Sequence, residues 1–203
     1  MEPYVKHESI AALMNRSNVD TDQIIPKQFL KKVGRTGFGV HLFHDWRYMP
    51  DGSGNPDFEL NNPAFSGARI LVTGDNFGCG SSREHAQWAI ADYGINTLIS
   101  TSFADIFNNN CFKNGILPII VTGQELGVLM EEISNKEGVK FTVDLKNQQV
   151  TTAAGTIINF EIDGFRKENL LKGLDEIGLT LQHEDKIDNF EAGQKQQLPW
   201  LWN

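Results

Sequence analysis

The residues with the clearest chemical potential form a glycine-rich segment near the middle of the chain. Gly78 and Gly80 have no side chain, so backbone N–H groups beside them can approach an anion closely. Ser81, Ser82 and Arg83 follow directly, and a guanidinium can bind a carboxylate through two parallel hydrogen bonds. A helix predicted to begin here directs its positive end at the same place. Two hydroxyls and a fixed cation at a helix N-terminus predict a clamp for an organic anion.

Other interpretations of this segment differ in strength. Ser81 and Glu84 match the S-x-x-E capping box, so Ser81 can also serve simply to cap the helix. A nucleotide P-loop needs Gly-Lys-Ser/Thr, and no Lys follows Gly80; Arg83 in place of the third glycine of G-x-G-x-x-G weakens a dinucleotide site. Ser81 and His85 lie one helical turn apart, as a hydrolase pair can, but no G-x-S-x-G elbow accompanies them.

The elements around the segment alternate between strands and helices. Strands are predicted at 69–73, 97–100 and 116–121, and helices at 83–93, 103–112 and 125–134. This order predicts an α/β fold with a parallel or mixed sheet and helices packed on it. A β-meander at 139–145, 149–152 and 156–162 and a helix over 167–177 follow. The glycine-rich segment leaves a strand at its carboxyl end, where α/β sheets place their ligands.

The other parts of the chain have weaker patterns. Residues 17–22 have turn composition, and 40–65 mix aromatic residues with Pro and Gly, which predicts an irregular loop insertion. The segment 184–203 is polar with an aromatic tip and is interpreted as a C-terminal extension. We interpret residues 1–203 as a single domain.

Composition excludes several classes of protein. A chain of 203 residues, 40% of them apolar, suits one globular unit with a real core. The net charge of -8 has the wrong sign for a nucleic-acid or anionic-membrane partner. The first residues lack an apolar h-region and no apolar run is long enough to span a membrane, so a cytoplasmic protein is expected. Cys79 and Cys111 fall short of the ligand set for an iron–sulfur cluster or a structural zinc, so this chain is predicted to carry no metal.

Three ordered motifs resemble the aconitase swivel-domain family. They are Asn18–Pro26, with the sequence NVDTDQIIP; Gly78–Ala86, with the sequence GCGSSREHA; and Thr101–Asn110, with the sequence TSFADIFNNN. The resemblance spans nearly the whole chain and implies a swivelling β/β/α domain of the aconitase C-terminal type. It also implies isomerisation of a hydroxy diacid, by dehydration to an unsaturated acid and rehydration with the opposite regiochemistry.

The resemblance is nearest to the small subunits of leucine-pathway dehydratases, and it implies a cofactor and a partner. Such enzymes exchange 2-isopropylmalate and 3-isopropylmalate through isopropylmaleate. A [4Fe–4S] cluster with one open iron supplies the Lewis acid, and with two cysteines here it is expected on a separate large subunit. Two alternatives stay open: a related hydroxy diacid substrate of the citramalate or homocitrate type, and a non-catalytic organic-anion-binding module.

Residue by residue, the resemblance assigns roles within the matched motifs. Ser81 is the family's base, Arg83 is catalytic, and Ser82 and Arg83 bind the substrate carboxylate. A serine hydroxyl is a very weak acid, so its alkoxide needs donors and positive charge, which the helix N-terminus and Arg83 can provide. Asp22 matches the family's early Asp, and Arg35 lies in the region of its downstream Arg; both are expected to bind substrate. The alternative that Asp22 only forms a turn stays open.

Further candidates are assigned less chemistry. The segment 31–38, which follows the first motif, is expected to border the apolar side chain of the substrate, through Val33 or Phe38. Cys79 is interpreted as a small hydrophobic residue and Cys111, on a predicted helix, as a core residue. His41 and His44 have metal-like spacing, but no further ligand completes a site, so we interpret them as part of the fold or of an interface.

Overall fold

The fold is built on one mixed sheet, and the computed structural model describes residues 1–32 and 34–202. Within this part the strands are β1 Lys6–Met14, β2 Ile70–Thr73, β3 Thr97–Ser100, β4 Leu117–Ile120, β5 Lys140–Asp144, β6 Gln149–Thr151 and β7 Ile157–Asn159. The α-helices of the same part are α1 Thr21–Ile24, α2 His44–Arg47, α3 Glu84–Tyr93, α4 Asp105–Lys113, α5 Gly123–Asn135, α6 Gly164–Lys172, α7 Glu176–Leu181 and α8 Glu184–Gln197. The prediction of an α/β fold with a mixed sheet is confirmed.

The sheet has a parallel half and an antiparallel half that meet at β1. Its strand order is β4-β3-β2-β1-β5-β6-β7, with β1 to β4 parallel and the last three strands antiparallel to their neighbours. The second part of β1 pairs with β2, Ala11 opposite Ile70, while its first part pairs with β5, His7 opposite Val143. Pro118 lies in β4, which is at the edge of the sheet and pairs only with β3. A proline has no N–H to donate, and an edge strand tolerates one because its outer side forms no ladder.

Strand β1 was not predicted, although it is central to the sheet. Its sequence, Lys-His-Glu-Ser-Ile-Ala-Ala-Leu-Met, has alternating exposure in the first half and is buried at Ala11, Ala12 and Met14 in the second. One half follows the pattern of a half-exposed antiparallel strand and the other that of a buried parallel strand. Neither half is long enough to give a clear periodicity, and the pairing that stabilises both comes from distant parts of the chain.

Most other predicted elements lie within a few residues of the observed ones, and one prediction was wrong. The single helix expected over 167–177 is divided into α6 and α7. Gly173 ends α6 with a φ of 68°, a left-handed conformation that costs glycine little and other residues more. The next helix then begins with its own cap, where the Asp175 side chain accepts a hydrogen bond from the Gly178 N–H.

The segment predicted to be an irregular insertion and the predicted C-terminal extension both contain helices. Residues 40–65 contain α2 and 3₁₀ turns at Glu59–Asn61 and Pro63–Phe65, and Phe43, Phe58 and Leu60 anchor them in the core. That this segment is an insertion stays a prediction. The C-terminal segment forms α8 and a 3₁₀ turn at Pro199–Leu201, with Phe190 and Trp200 about two-thirds exposed.

The sheet positions the loops that carry the motifs. Strands β1, β2 and β3 are parallel, so the loops that follow them, residues 15–20, 74–83 and 101–104, leave the same edge of the sheet. A buried apolar core that includes Met14, Leu71 and Ile99 holds these strands in place. In the described ranges no helix combines the length and the apolar character needed to cross a bilayer.

Candidate active site

Backbone hydrogen bonds tie the three loops at this edge together. Gly78 donates its N–H to the Val19 carbonyl at 2.8 Å, and Thr21 donates its N–H to the Cys79 carbonyl at 2.9 Å. On the other side, Ala104 donates its N–H to the carbonyl of Phe77 at 3.1 Å. These bonds extend the parallel sheet past its strands and fix the glycine-rich loop between its two neighbours.

Side-chain hydrogen bonds also join the loop that follows β2 to the loop that follows β3. The Ser102 and Thr101 hydroxyls both donate to the Asp75 carboxylate, and these bonds hold its pKa below the ordinary value. Ser100, which is buried, donates its hydroxyl to the Gly74 carbonyl at 2.7 Å. The start of the glycine-rich loop is therefore fixed to the loop that follows β3.

Gly78 is required by its surroundings. Its φ is +78°, and a Cβ at this position would lie 2.1 Å from Cγ of Phe107 on α4. The Phe107 ring is itself buried and packs edge-on against Phe77, with ring centroids 5.4 Å apart. The absence of a side chain at Gly78 thus permits close packing of the loop on α4, in addition to leaving the backbone accessible.

Ser81 does not cap the helix, so the capping-box interpretation was wrong. Helix α3 begins at Glu84 with Arg83 as its N-cap residue, and no side chain of the described residues bonds to that cap. The Ser81 carbonyl instead accepts a hydrogen bond from the Thr21 hydroxyl at 2.8 Å, which ties the Ser81 backbone to α1. Ser81 and Ser82 are both exposed at the edge of the sheet. The Ser81 hydroxyl is therefore not engaged in capping.

Asp22 and Arg83 form an ion pair across the motifs. Arg83 Nη1 donates to Asp22 Oδ1, and Lys27 Nζ lies 3.8 Å from the other carboxylate oxygen. The hydrogen bond from Arg83 is the main cause that lowers the pKa of Asp22 below its ordinary value. The side chain of Arg83 is only 14% exposed, so its guanidinium is held between the carboxylate and the loop. Asp22 thus does more than form a turn.

Helix α1, on which Asp22 lies, has its own fixed geometry. The Asp20 side chain accepts hydrogen bonds from the N–H groups of Asp22 and Gln23, and the Gln23 side chain accepts one from the Asp20 N–H. This reciprocal capping box stabilises the short helix. It fixes the direction from which Asp22 approaches Arg83.

A cavity of about 230 Å³ lies where these elements meet. Its lining residues come from α1, the glycine-rich loop, α3 and α4: Thr21, Gly78, Gly80, Ser81, Ser82, Arg83, Gln87, Ala104, Asp105, Ile106, Phe107 and Asn110. The N-termini of α3 and α4 both border it, and within the described chain neither has a side-chain cap. Uncapped N-terminal N–H groups, the helix dipoles and Arg83 together favour a bound carboxylate.

The sequence analysis did not consider Gln87, and it assigned no chemistry to Asn110, although Asn110 lies in the third motif. Gln87 is 1% exposed; its Nε2 donates to the Phe107 carbonyl at 3.3 Å, and its buried Oε1 has no partner among the residues described. Both residues line the cavity. The available signal for Gln87 was a polar residue on the apolar face of α3, between Ala86 and Ala89.

Arg35 and Phe38 do not lie with the other predicted site residues. Arg35 is exposed, and its guanidinium carbon lies 5.5 Å above the ring of Trp88. Phe38 is fully buried and packs against His85, with ring centroids 5.4 Å apart, so the prediction that Phe38 contacts substrate was wrong. The loop after the first motif folds this ring into the core. Val33, the other candidate there, lies outside the described residues.

His85 packs between rings and gives no support to a hydrolase. Its ring lies 4.6 Å from Trp88 and 5.4 Å from Phe38, centroid to centroid. Within the described residues no hydrogen bond joins it to Ser81. His85 therefore contributes to the packing of α3.

The cysteines do not fit an iron–sulfur cluster. Cys79 is half-buried in the glycine-rich loop and Cys111 is fully buried on α4, and burial raises the pKa of both thiols. Across residues 1–32 and 34–202, no group of three or more His, Cys, Asp or Glu side chains is arranged to hold a metal ion. The interpretation of Cys111 as a core residue is confirmed.

Comparison with family models gives matches along most of the chain. The model of the aconitase C-terminal domain matches residues 1–124, which is more than half of the chain. A model described as LeuD_N matches residues 128–164, and the model for the C-terminal domain of the 3-isopropylmalate dehydratase small subunit matches residues 176–202.

Individual proteins are similar over the full length. The 3-isopropylmalate dehydratase small subunit of Psychromonas ingrahamii is 71% identical over 203 residues, with 100% of both chains covered. That of Leptospira interrogans is 58% identical, covering 100% of this chain and 99% of its own. A crystal structure of 3-isopropylmalate dehydratase from Methanocaldococcus jannaschii matches with a TM-score of 0.67 and 27% identity, covering 92% of this chain and 99% of the other.

Proposed function

The chain belongs to the aconitase C-terminal domain family, among the 3-isopropylmalate dehydratase small subunits, and from this premise we propose its function. With a large subunit it forms a hydro-lyase that interconverts 2-isopropylmalate and 3-isopropylmalate through isopropylmaleate in leucine biosynthesis. The observation that carries the proposal is the convergence of Ser81, Ser82 and Arg83 with two helix N-termini on one cavity. This arrangement suits an organic acid.

A carboxylate of the substrate binds between Arg83 and the helix N-termini. The guanidinium donates charge-assisted hydrogen bonds, and the Ser82 hydroxyl is a further donor beside it on the loop. Asp22 keeps the guanidinium in place through the ion pair, which leaves other N–H groups of Arg83 for the substrate. Binding at this point fixes the orientation of the adjacent C–H bond.

Ser81 moves the proton. As an alkoxide its Oγ accepts the proton of the C–H beside the carboxylate. The electron pair of that bond forms the C=C bond as the C–O bond breaks, and the leaving hydroxide would be taken up by the Lewis acid that the cluster of the large subunit would supply. In the rehydration step the same hydroxyl returns a proton to carbon. The positive ends of α3 and α4 and the charge of Arg83 favour the alkoxide, because they lower the cost of negative charge at this place.

The chain depends on a partner for the remaining chemistry. Its two thiols do not form a cluster site, so the [4Fe–4S] cluster is assigned to the large subunit, and the substrate is shared between the two chains. The biosynthetic role of the relatives supports a cytoplasmic location. No step here depends on nucleic acid or on a membrane.

Arg35 is proposed to bind the distal part of the substrate from the loop that follows the first motif. Its side chain is exposed and rests above Trp88, from which a flexible guanidinium can move toward a substrate held by Arg83. Arg35→Ala is expected to raise the KM for isopropylmaleate about tenfold, the effect of about one lost charge-assisted hydrogen bond. Steady-state kinetics check this, with Lys31→Ala as the exposed control; an unchanged KM would remove Arg35 from the site.

Anaerobic hydration of isopropylmaleate tests the proposed function. The substrate is given to this chain alone, to a cluster-loaded large subunit alone and to both mixed, and citraconate is run in parallel. Activity only in the mixture, with preference for isopropylmaleate, is the expected result. Preference for citraconate would assign another substrate, and no activity with a fully loaded cluster would favour an anion-binding module without catalysis.

A further inference from the structure

Thr21 forms two hydrogen bonds with the glycine-rich loop, one to Cys79 and one to Ser81. Its N–H donates to the Cys79 carbonyl at 2.9 Å, and its hydroxyl donates to the Ser81 carbonyl at 2.8 Å. Between them lies Gly80, with a φ of +89°, where a Cβ would come 3.5 Å from Thr21 Oγ1. Cys79, Gly80 and Ser81 therefore all lie against Thr21.

The bond to Ser81 is well defined because Thr21 is only 2% exposed. A buried hydroxyl needs a partner, and water does not compete freely for this one. Ser81 itself is exposed, precedes the helix N-cap by two residues and lies in a loop with two glycines of positive φ. Among the described residues, the Thr21 hydroxyl is thus the side-chain group that hydrogen-bonds the Ser81 backbone and restrains it.

The next residue on α1 holds the other end of the same segment. Asp22 bonds the side chain of Arg83, so the first turn of α1 restrains Ser81 and Arg83 together. Since the capping box of Asp20 and Gln23 fixes α1, the restraint is transmitted to the loop from a rigid turn.

We propose that Thr21 is a positioning residue, whose hydroxyl sets the place of the Ser81 hydroxyl through the Ser81 backbone. The inference rests on the proposed function, in which Ser81 moves the substrate proton. A displacement of about 1 Å in a reacting group can cost about a hundredfold in rate. Loss of the Thr21 hydroxyl therefore slows the chemical step more than it weakens substrate binding.

The test compares three variants in the complex with the large subunit. Thr21→Val keeps the shape and the backbone N–H bond but removes the hydroxyl, and Thr21→Ser restores the hydroxyl. Thr73→Val is the matched control, because Thr73 is also fully buried at this edge and donates its hydroxyl to a carbonyl, that of Arg16 at 3.3 Å. Values of kcat and KM for isopropylmaleate, affinity for the large subunit and melting temperature are measured for each.

The expected result is a split between kcat and KM. Thr21→Val lowers kcat roughly 10- to 100-fold with KM changed less than about threefold, whereas Thr21→Ser and Thr73→Val stay within about threefold of the wild type. A kcat for Thr21→Val equal to that of the wild type would overturn the proposal. So would equal impairment of Thr21→Ser, or a Thr21→Val chain that fails to bind the large subunit, since either assigns Thr21 to folding.

A crystal structure of Thr21→Val separates this inference from the proposed function. We expect Ser81 to move by about 1 Å relative to the wild type, the scale at which rate is lost, whether or not isopropylmaleate is the substrate. If the wild-type complex is inactive and Ser81 is displaced in the Thr21→Val structure, the proposed function alone is contradicted. A Ser81 that keeps its position would contradict the role of Thr21 alone.

Discussion

At the scale of single residues, the site depends on Ser81 being left out of the helix that follows it. A serine that caps a helix has its oxygen engaged as an acceptor of N–H groups. Here the helix begins at Glu84 with Arg83 as its cap, and Thr21 and Asp22 restrain the segment from outside. The hydroxyl of Ser81 is therefore available for a substrate.

Ser81→Ala tests the assignment of the base. We expect kcat to fall by about two to four orders of magnitude, the usual contribution of a positioned acid or base. Binding to the large subunit should be unchanged, because the Ser81 hydroxyl makes no hydrogen bond among the described residues and its loss leaves the fold of the loop intact. Ser82→Ala is the neighbouring control and is expected to raise KM more than it lowers kcat. Steady-state kinetics of isopropylmaleate hydration measure both, and a near-normal kcat for Ser81→Ala would exclude it as the base.

Asp22→Asn tests the ion pair through its dependence on pH. The pKa of Asp22 is lowered in the fold, so the pair stabilises the protein above the ordinary pKa of an Asp and its contribution is lost as pH falls through the lowered value. Urea unfolding should show the wild type more stable at pH 7 by about 1 kcal/mol or less, because Asp22 is partly exposed. The difference should shrink below about pH 4. A difference that grows toward acid pH would contradict this account.

The motif residues could be predicted individually, but some of their contacts could not. The types and spacing of Ser81, Ser82 and Arg83 indicate an anion clamp, and the resemblance adds Asp22. The bond from Thr21 to Ser81 spans 60 positions in the sequence and depends on β1 and β2 being neighbours. A local pattern carries no information about such a pair.

At the scale of elements, parallel pairing of β1, β2 and β3 brings three loops to one edge. The helices and strands between residues 68 and 162 were predicted because each has a consistent local period and a turn at its end. β1 was missed because it changes partner at Ile10 and Ala11 and presents a different pattern on each side. Helix α1, which follows β1, carries Asp22, so the geometry of the site depends on the strand that was hardest to predict.

Gly78→Ala tests how closely the loop must pack on α4. A Cβ would overlap the Phe107 ring at a positive φ, so we expect a loss of stability of about 2–4 kcal/mol and a large loss of activity. Gly127→Ala is the control: Gly127 lies within α5 with open space at its Cβ, and the change should stabilise the helix by about 0.5–1 kcal/mol. Urea unfolding measures both. Equal stability of the two variants would show that the loop does not need a glycine at this position.

At the scale of the whole molecule, the proposed function makes this chain one side of an active site that a large subunit completes. Its cavity lies at the edge of the sheet and is lined by Ser81 and Arg83, the proposed base and anion-binding residue, and among the described residues no group of three or more His, Cys, Asp or Glu could hold a metal ion. The second chain was implied by the family resemblance, and the count of two cysteines agrees with a cluster carried there. The surface that meets this partner could not be predicted, because no pattern in the sequence distinguishes an exposed apolar residue at an interface from one in solvent.

The most direct test of a shared active site is competition between two forms of this chain for the large subunit. A fixed amount of cluster-loaded large subunit is saturated with the wild-type chain, and the Ser81→Ala chain is then added in increasing amounts while anaerobic hydration of isopropylmaleate is followed. The account predicts that activity falls in proportion to the fraction of variant, because the variant binds equally well and supplies no base. Activity that stays constant while the variant demonstrably occupies the large subunit would contradict it.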